Sequence, residues 1–107
     1  MARRPDPKLE KLIEQAAVDC DSEEDVAMSL CYAMQEHVKF PFSGKVVGEE
    51  VVVKGVEEGE GTEVVALCER KGRLYQVRLD DVRIRDRPEG AEWVDAYFQF
   101  RGKRWPG

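Results

Sequence analysis

The chain has 107 residues, 42% hydrophobic and 36% charged, with a formal net charge of -5. That length suits one domain built on a single modest core, and no apolar run approaches the length needed to cross a bilayer. Met1-Ala2-Arg3-Arg4-Pro5-Asp6-Pro7 is basic but has no apolar segment behind it, so no secretory signal is expected and a cytoplasmic location follows. Cys20, Cys31 and Cys68 are odd in number and lack Cys-x-x-Cys spacing, which argues against a disulfide framework or a zinc knuckle; they read as reduced small hydrophobes.

Acidic residues dominate positions 1–66 and basic residues the remainder. Such asymmetry suits an acidic surface that collects cations, a basic patch for an anionic partner, or two faces that neutralise each other on folding.

Leu9, Leu12, Ile13, Ala16, Ala17 and Cys20 recur at helical spacing among polar residues, predicting an amphipathic first helix. Asp19-Cys20-Asp21 interrupts it. Ser22 followed by Asp25 then resembles a helix-capping pair that starts a second helix, whose stripe is Val26, Ala27, Leu30, Cys31, Met34 and Val38. That helix ends before Pro41, which has no N–H to donate and pushes Phe40 out of helical geometry. Two aromatic rings, Phe40 and Phe42, are thereby planted where helix gives way to sheet, and are expected to cap a core.

From Lys45 the period changes to two. Val51 and Val53 alternate with Val52 and Lys54, and Glu57-Glu58-Gly59-Glu60-Gly61-Thr62 reads as a flexible acidic loop before a strand over Glu63–Cys68. Lys71-Gly72 predicts a tight hairpin into Leu74–Leu79, and Asp80-Asp81 turns the chain into Val82-Arg83-Ile84. Glu89–Phe100 can form a third helix with Trp93, Tyr97 and Phe100 or Arg101 on one side, and the tail from Arg101 to Gly107 is expected to be mobile. The expected fold class is α+β: two N-terminal helices within 8–39 and a C-terminal helix over 89–101, packed on a small curled antiparallel sheet over 44–85, an SH3-like partial barrel.

Three acidic clusters offer hard oxygen ligands of the kind calcium takes, six to eight at a time. Asp19–Asp25 looks like an EF-hand loop at first, but Glu24 stands where the sharp turn requires Gly and Leu30 where the bidentate Glu belongs, so acids at a helix N-terminus are the better reading. Glu49, Glu50, Glu57, Glu58, Glu60 and Glu63 place six carboxylates in fifteen residues, either as a metal site or as a solvated edge whose charges prevent aggregation. Asp80-Asp81 is a turn-forming pair or a pair of ligands from across the sheet.

The Phe40-Pro41-Phe42 junction, taken with Glu23-Glu24, Ala27-Met28, Tyr32, Glu36, Gly44-Lys45, Gly48-Glu49-Glu50-Val51-x-Val53 and Val77-x-Leu79, resembles the small acidic calcium-binding proteins of the CcbP family over roughly residues 21–85. The resemblance implies reversible calcium binding by surface carboxylates on a compact α+β domain, with a calcium-buffering role, and lends Glu36 the standing of a ligand because relatives carry an acid there. The later strands depart from it in carrying Arg70, Lys71, Arg73, Arg78, Arg83, Arg85 and Arg87.

Catalysis finds little support. His37 is the only histidine, and no phosphate loop, nucleophile elbow or His-rich metal spacing is present. The expectation is therefore a calcium-binding protein, not an enzyme, with intracellular buffering or sensing as its role and calcium as cofactor and partner. Its candidate ligands are Glu36, Glu49, Glu50, Glu57, Glu58, Glu60, Asp80 and Asp81. The competing expectation is an SH3-like module that holds RNA or an acidic peptide on a basic strand face formed by Arg70, Arg73, Arg78, Arg83 and Arg85 with Tyr75, Trp93 and Trp105. Net negative charge opposes a polyanion unless that basic face is segregated.

Overall fold

The computed structural model describes residues 6–104. Helix α1 spans Pro7–Ala17, α2 Glu23–His37 and α3 Glu92–Arg104; the strands are β1 Phe42–Val46, β2 Glu49–Glu58, β3 Val64–Arg70, β4 Arg73–Arg78 and β5 Val82–Ile84, with a 3-10 turn over Leu79–Asp81. The sheet is antiparallel in the order β4-β3-β2-β1-β5. A 3-10 turn leading into a last strand that returns beside the first is the SH3-like arrangement expected, left open because β4 and β5 are its two edges.

Local chemistry sets the helix ends. Asp6 caps α1 through its side chain, which accepts from the Lys8 N–H at 2.9 Å, and Pro7 occupies the first turn where a missing N–H costs nothing. Asp19 takes a left-handed φ of 64° in the turn between α1 and α2. Ser22 Oγ then accepts from the Asp25 N–H at 3.2 Å, the pairing anticipated from its spacing. Both two-residue hairpins, Val47-Gly48 and Lys71-Gly72, have positive φ at both positions, as the right-handed twist of the flanking strands favours.

Register decides what the sheet buries. Val51 and Val53 face the core, as alternation predicts. Pairing then steps from Val53↔Cys68 to Gly55↔Leu67, leaving Lys54 as an extra residue in β2. This bulge inverts the phase, so Val56 faces inward and Glu58 shares its face, where strict alternation from Val53 would have chosen Gly55 and Glu57. Glu57 and Glu58 are thus strand residues paired with Val65 and Val64, and the acidic loop is shorter than expected. Strand β3 starts at Val64, after Glu63.

The core is closed by α2, which with its C-cap Val38 lays Ala27, Leu30, Cys31 and Met34 against Val53, Val56, Val64, Ala66 and Cys68. Cys31 and Cys68 are free and fully buried, small core hydrophobes as expected. Phe42 is buried and Phe40 half-buried, their ring centroids 5.7 Å apart at the helix-to-sheet junction. His37 stacks on Trp93 at 5.2 Å with the rings 11° from parallel.

Helix α3 differs from expectation at both ends. Gly90 has a φ of +84° and lies so close to the carbonyl of His37 that a Cβ would come within 2.0 Å of it, so the chain cannot be helical there and α3 starts at Glu92. At the other end Arg101 is not part of a mobile tail. It is buried at 8% exposure, and its guanidinium donates to Asp80 Oδ2 at 2.8 Å and to Thr62 Oγ1. Residues 105–107, with Trp105, lie outside the described residues, as do residues 1–5 of the basic N-terminus.

One turn earlier on α3, the Tyr97 hydroxyl accepts from the Val64 N–H at 2.9 Å and donates to the Thr62 carbonyl at 3.2 Å. Burial, followed by the charge of Asp80, pushes this phenol from the ordinary 10.0 up to about 12. The unfolded chain therefore loses the proton first: the contribution is complete below pH 10 and is lost as pH rises towards about 12. Denaturant unfolding at stepped pH should show stability falling across that interval, and Tyr97→Phe should flatten the fall while lowering stability at neutral pH by about 1–3 kcal/mol. In the same assay Leu30→Ala, which empties a fully buried position, should cost about 2–5 kcal/mol, whereas Val18→Ala, at a position 66% exposed, should change stability by about 0.5 kcal/mol or less.

Candidate functional site

The eight acidic residues singled out in sequence lie at separate places. Glu49 and Glu50 open β2 and Glu57 and Glu58 close it, so roughly 30 Å of ten-residue strand separates Glu49 from Glu58 at about 3.3 Å per residue. One ion cannot take both ends. Glu49 pairs with Arg70, Glu50 with Arg85, Asp81 with Arg78 at 3.4 Å and Asp80 with Arg101 at 2.8 Å. Glu36 is exposed on the last turn of α2. Glu57, Glu58 and Glu60 remain at the far end of β2 and in the loop beyond it.

At that end a small cavity of about 130 Å³ opens between the first half of α2 and the β2–β3 loop. Glu24 reaches it from the first turn of α2, Glu58 from the end of β2 and Glu63 from the loop just before β3, with Ala27, Met28, Cys31, Val64, Gly59 and Gly61 as the remaining walls. Only Glu58 was among the candidate ligands. Glu24 sits in the cluster read as acids at a helix N-terminus and in the Glu23-Glu24 pair of the resemblance, and Glu63 in the acidic run; nothing in the sequence links the two, because what unites them is the docking of α2 on the sheet end.

Each carboxylate has a distinct setting. Glu58 accepts a hydrogen bond from the Tyr32 hydroxyl. Glu63 faces Arg78 at 3.4 Å, the only guanidinium that pairs with an acid of this cavity among the described residues. The loop itself is closed by its backbone, with the Gly59 N–H donating to the Glu63 carbonyl and the Glu63 N–H to the Glu60 carbonyl, each at 2.9 Å. A Cβ on Gly59 would stand 2.9 Å from the Glu63 carbonyl, so this turn requires glycine. The Glu60, Thr62 and Glu63 carbonyls each accept a hydrogen bond within this frame.

The local field is negative. Burial, then the charges of Glu58 and Glu57, pushes the Cys31 thiol up to about 11. The hydrogen bond from Tyr32 to Glu58, with the carboxylate's charge next, raises the Tyr32 phenol above its usual value. Oxygen donors from three elements around a small, negatively charged cavity fit a hard divalent cation in chemistry. As they stand, no three Asp, Glu, His or Cys side chains among the described residues are grouped closely enough to hold a metal ion.

The basic strand face is not segregated. Arg70, Arg78 and Arg85 are engaged by Glu49, by Glu63 and Asp81, and by Glu50; Trp93 lies on α3 against His37, away from Tyr75 on edge strand β4, and Trp105 is outside the described residues. No helix among the described residues is long and apolar enough to cross a membrane.

The fold matches the crystal structure of Anabaena CcbP with a TM-score of 0.77 at 22% identity, covering 94% of each chain. It also matches a calcium-binding protein in its calcium-binding form with a TM-score of 0.74 at 22% identity over the whole of both chains. No curated protein matches the sequence. The calcium-binding CcbP family model matches residues 10–95, from α1 into α3 and across every strand and the acidic cavity. On that match, the chain belongs to the CcbP family of calcium-binding proteins.

Proposed function

We propose that this protein takes up calcium reversibly in the cavity between α2 and the β2–β3 loop, with Glu24, Glu58 and Glu63 as its central ligands and Glu57 and Glu60 completing the negative field. The observation that carries the reading is the convergence of acids from three chain segments on one small cavity, within a chain that belongs to a calcium-binding family. Calcium suits the site better than magnesium, because carboxylates on a glycine loop tolerate a large, irregular oxygen shell whereas magnesium demands a near-ideal octahedron.

The step that binding performs is electrostatic. Without metal, like charges hold the carboxylates apart; a divalent cation cancels that repulsion and ties α2, β2 and the loop to one point. Glu49, Glu50, Asp80 and Asp81 serve instead as partners of arginines, and Glu36 lies on the last turn of the helix whose first turn bears Glu24. Such uptake involves no turnover and suits calcium buffering or sensing in the cytoplasm.

Calorimetric titration of chelator-stripped protein tests the reading. Glu58→Gln and Glu63→Gln should each weaken calcium binding about tenfold or more, the range seen when a metal's supporting groups are removed. Glu49→Gln and Glu14→Gln, at the opposite strand end and on α1, should leave it unchanged. Binding should survive high salt, since a coordinated ion is screened far less than a diffuse atmosphere, and calcium at a hundred times Kd should raise stability by about 2.7 kcal/mol. Equal weakening by all four substitutions, or no calcium heat and no thermal stabilisation, would overturn the assignment.

A further inference from the structure

The hydrogen bond from Tyr32 to Glu58 joins a phenol that is 51% exposed to a carboxylate of the acidic cavity. A surface phenol ordinarily keeps its hydroxyl in water. Here it joins a second bond in seating α2 on β2: one turn further along the helix, Gln35 Nε2 donates to the Val56 carbonyl at 2.9 Å. Positions 32 and 35 of the helix thus meet positions 58 and 56 of the strand, and the two contacts together set where the end of β2 stands relative to α2. Gln35 holds backbone, whereas Tyr32 holds the carboxylate itself. The phenol engages Oε1 and leaves Oε2 as the oxygen without that bond.

We infer that Tyr32 is a positioning residue for metal binding: its hydroxyl holds the Glu58 carboxylate at the cavity mouth, so that Glu58 ligates through its second oxygen. The inference rests on the calcium site proposed above and adds to it a residue that supplies no ligand. Two consequences follow. A carboxylate already oriented loses less freedom when metal arrives, the ordinary role of groups that hydrogen-bond to metal ligands. A carboxylate with one oxygen committed also contributes one donor instead of two, so Tyr32 sets the oxygen count and with it the margin of calcium over magnesium.

Tyr32→Phe removes only the hydroxyl, at an exposed position, so the variant should fold. Tyr75→Phe on edge strand β4 is the control. In calorimetric titrations Tyr32→Phe should weaken calcium about tenfold through the lost orientation and weaken magnesium more, widening the ratio of calcium to magnesium affinity because the freed oxygen permits bidentate ligation, while Tyr75→Phe changes neither. Terbium, a calcium-sized ion whose emission is sensitised by a nearby phenol, gives an independent readout. At saturating terbium, Tyr32→Phe should remove much of the tyrosine-sensitised emission and Tyr75→Phe should not. Calcium affinity and selectivity unaltered in Tyr32→Phe would overturn the positioning role even if the wild type binds calcium. A wild type that binds neither calcium nor terbium would overturn the site itself, and the role with it.

Discussion

The extra residue at Lys54 is the constraint on which the acidic end of this molecule depends. Without it, alternation through β2 would carry the face of Val53 on to Gly55 and Glu57, and a glycine would stand where Val56 now fills the core. With it, Val56 is buried opposite Ala66, and Glu58 is brought round beside α2. The bulge thus serves packing and function together. It lets a ten-residue strand contribute to the core along its length, and it selects which of two adjacent glutamates meets the helix.

Electrostatics divides the sheet into a neutralised part and a charged one. Around the start of β2, and in the 3-10 turn, guanidinium groups answer the carboxylates one by one; these pairs are exposed except at Arg101 and contribute little to stability individually. Around the cavity at the other end of β2 stand Glu24, Glu58 and Glu63, with Arg78 the only guanidinium that pairs with them among the described residues. Net charge describes neither region. A chain of -5 with many arginines keeps a negative end because Arg70, Arg85, Arg87 and Arg101 pair with carboxylates away from it.

Helix α3 gives the acidic loop its fixed frame. Tyr97 satisfies both the Val64 N–H and the Thr62 carbonyl from within the core, and Arg101 spans Thr62 and Asp80, so the loop is anchored at Thr62, beside the cavity acid Glu63. The tethers lie on the core side of the loop and the carboxylates on its solvent side.

Much of this was legible in the chain itself. The apolar stripe of α2, the Ser22 cap, the break at Pro41, both faces of early β2 and the Lys71-Gly72 turn follow from spacing and backbone stereochemistry, which act over a few residues and leave a local mark. The resemblance that located the family rested on the same local features. What the chain alone left open were relations between distant segments: which acids share a cavity, which are matched by arginine, where α3 begins and whether Arg101 is free. Glu24 and Glu63 are 39 positions apart and carry no signature as a pair. Their meeting depends on a bulge that shifts register and on a helix docking over the shifted strand end, and a contact of that kind exists only once the core has formed.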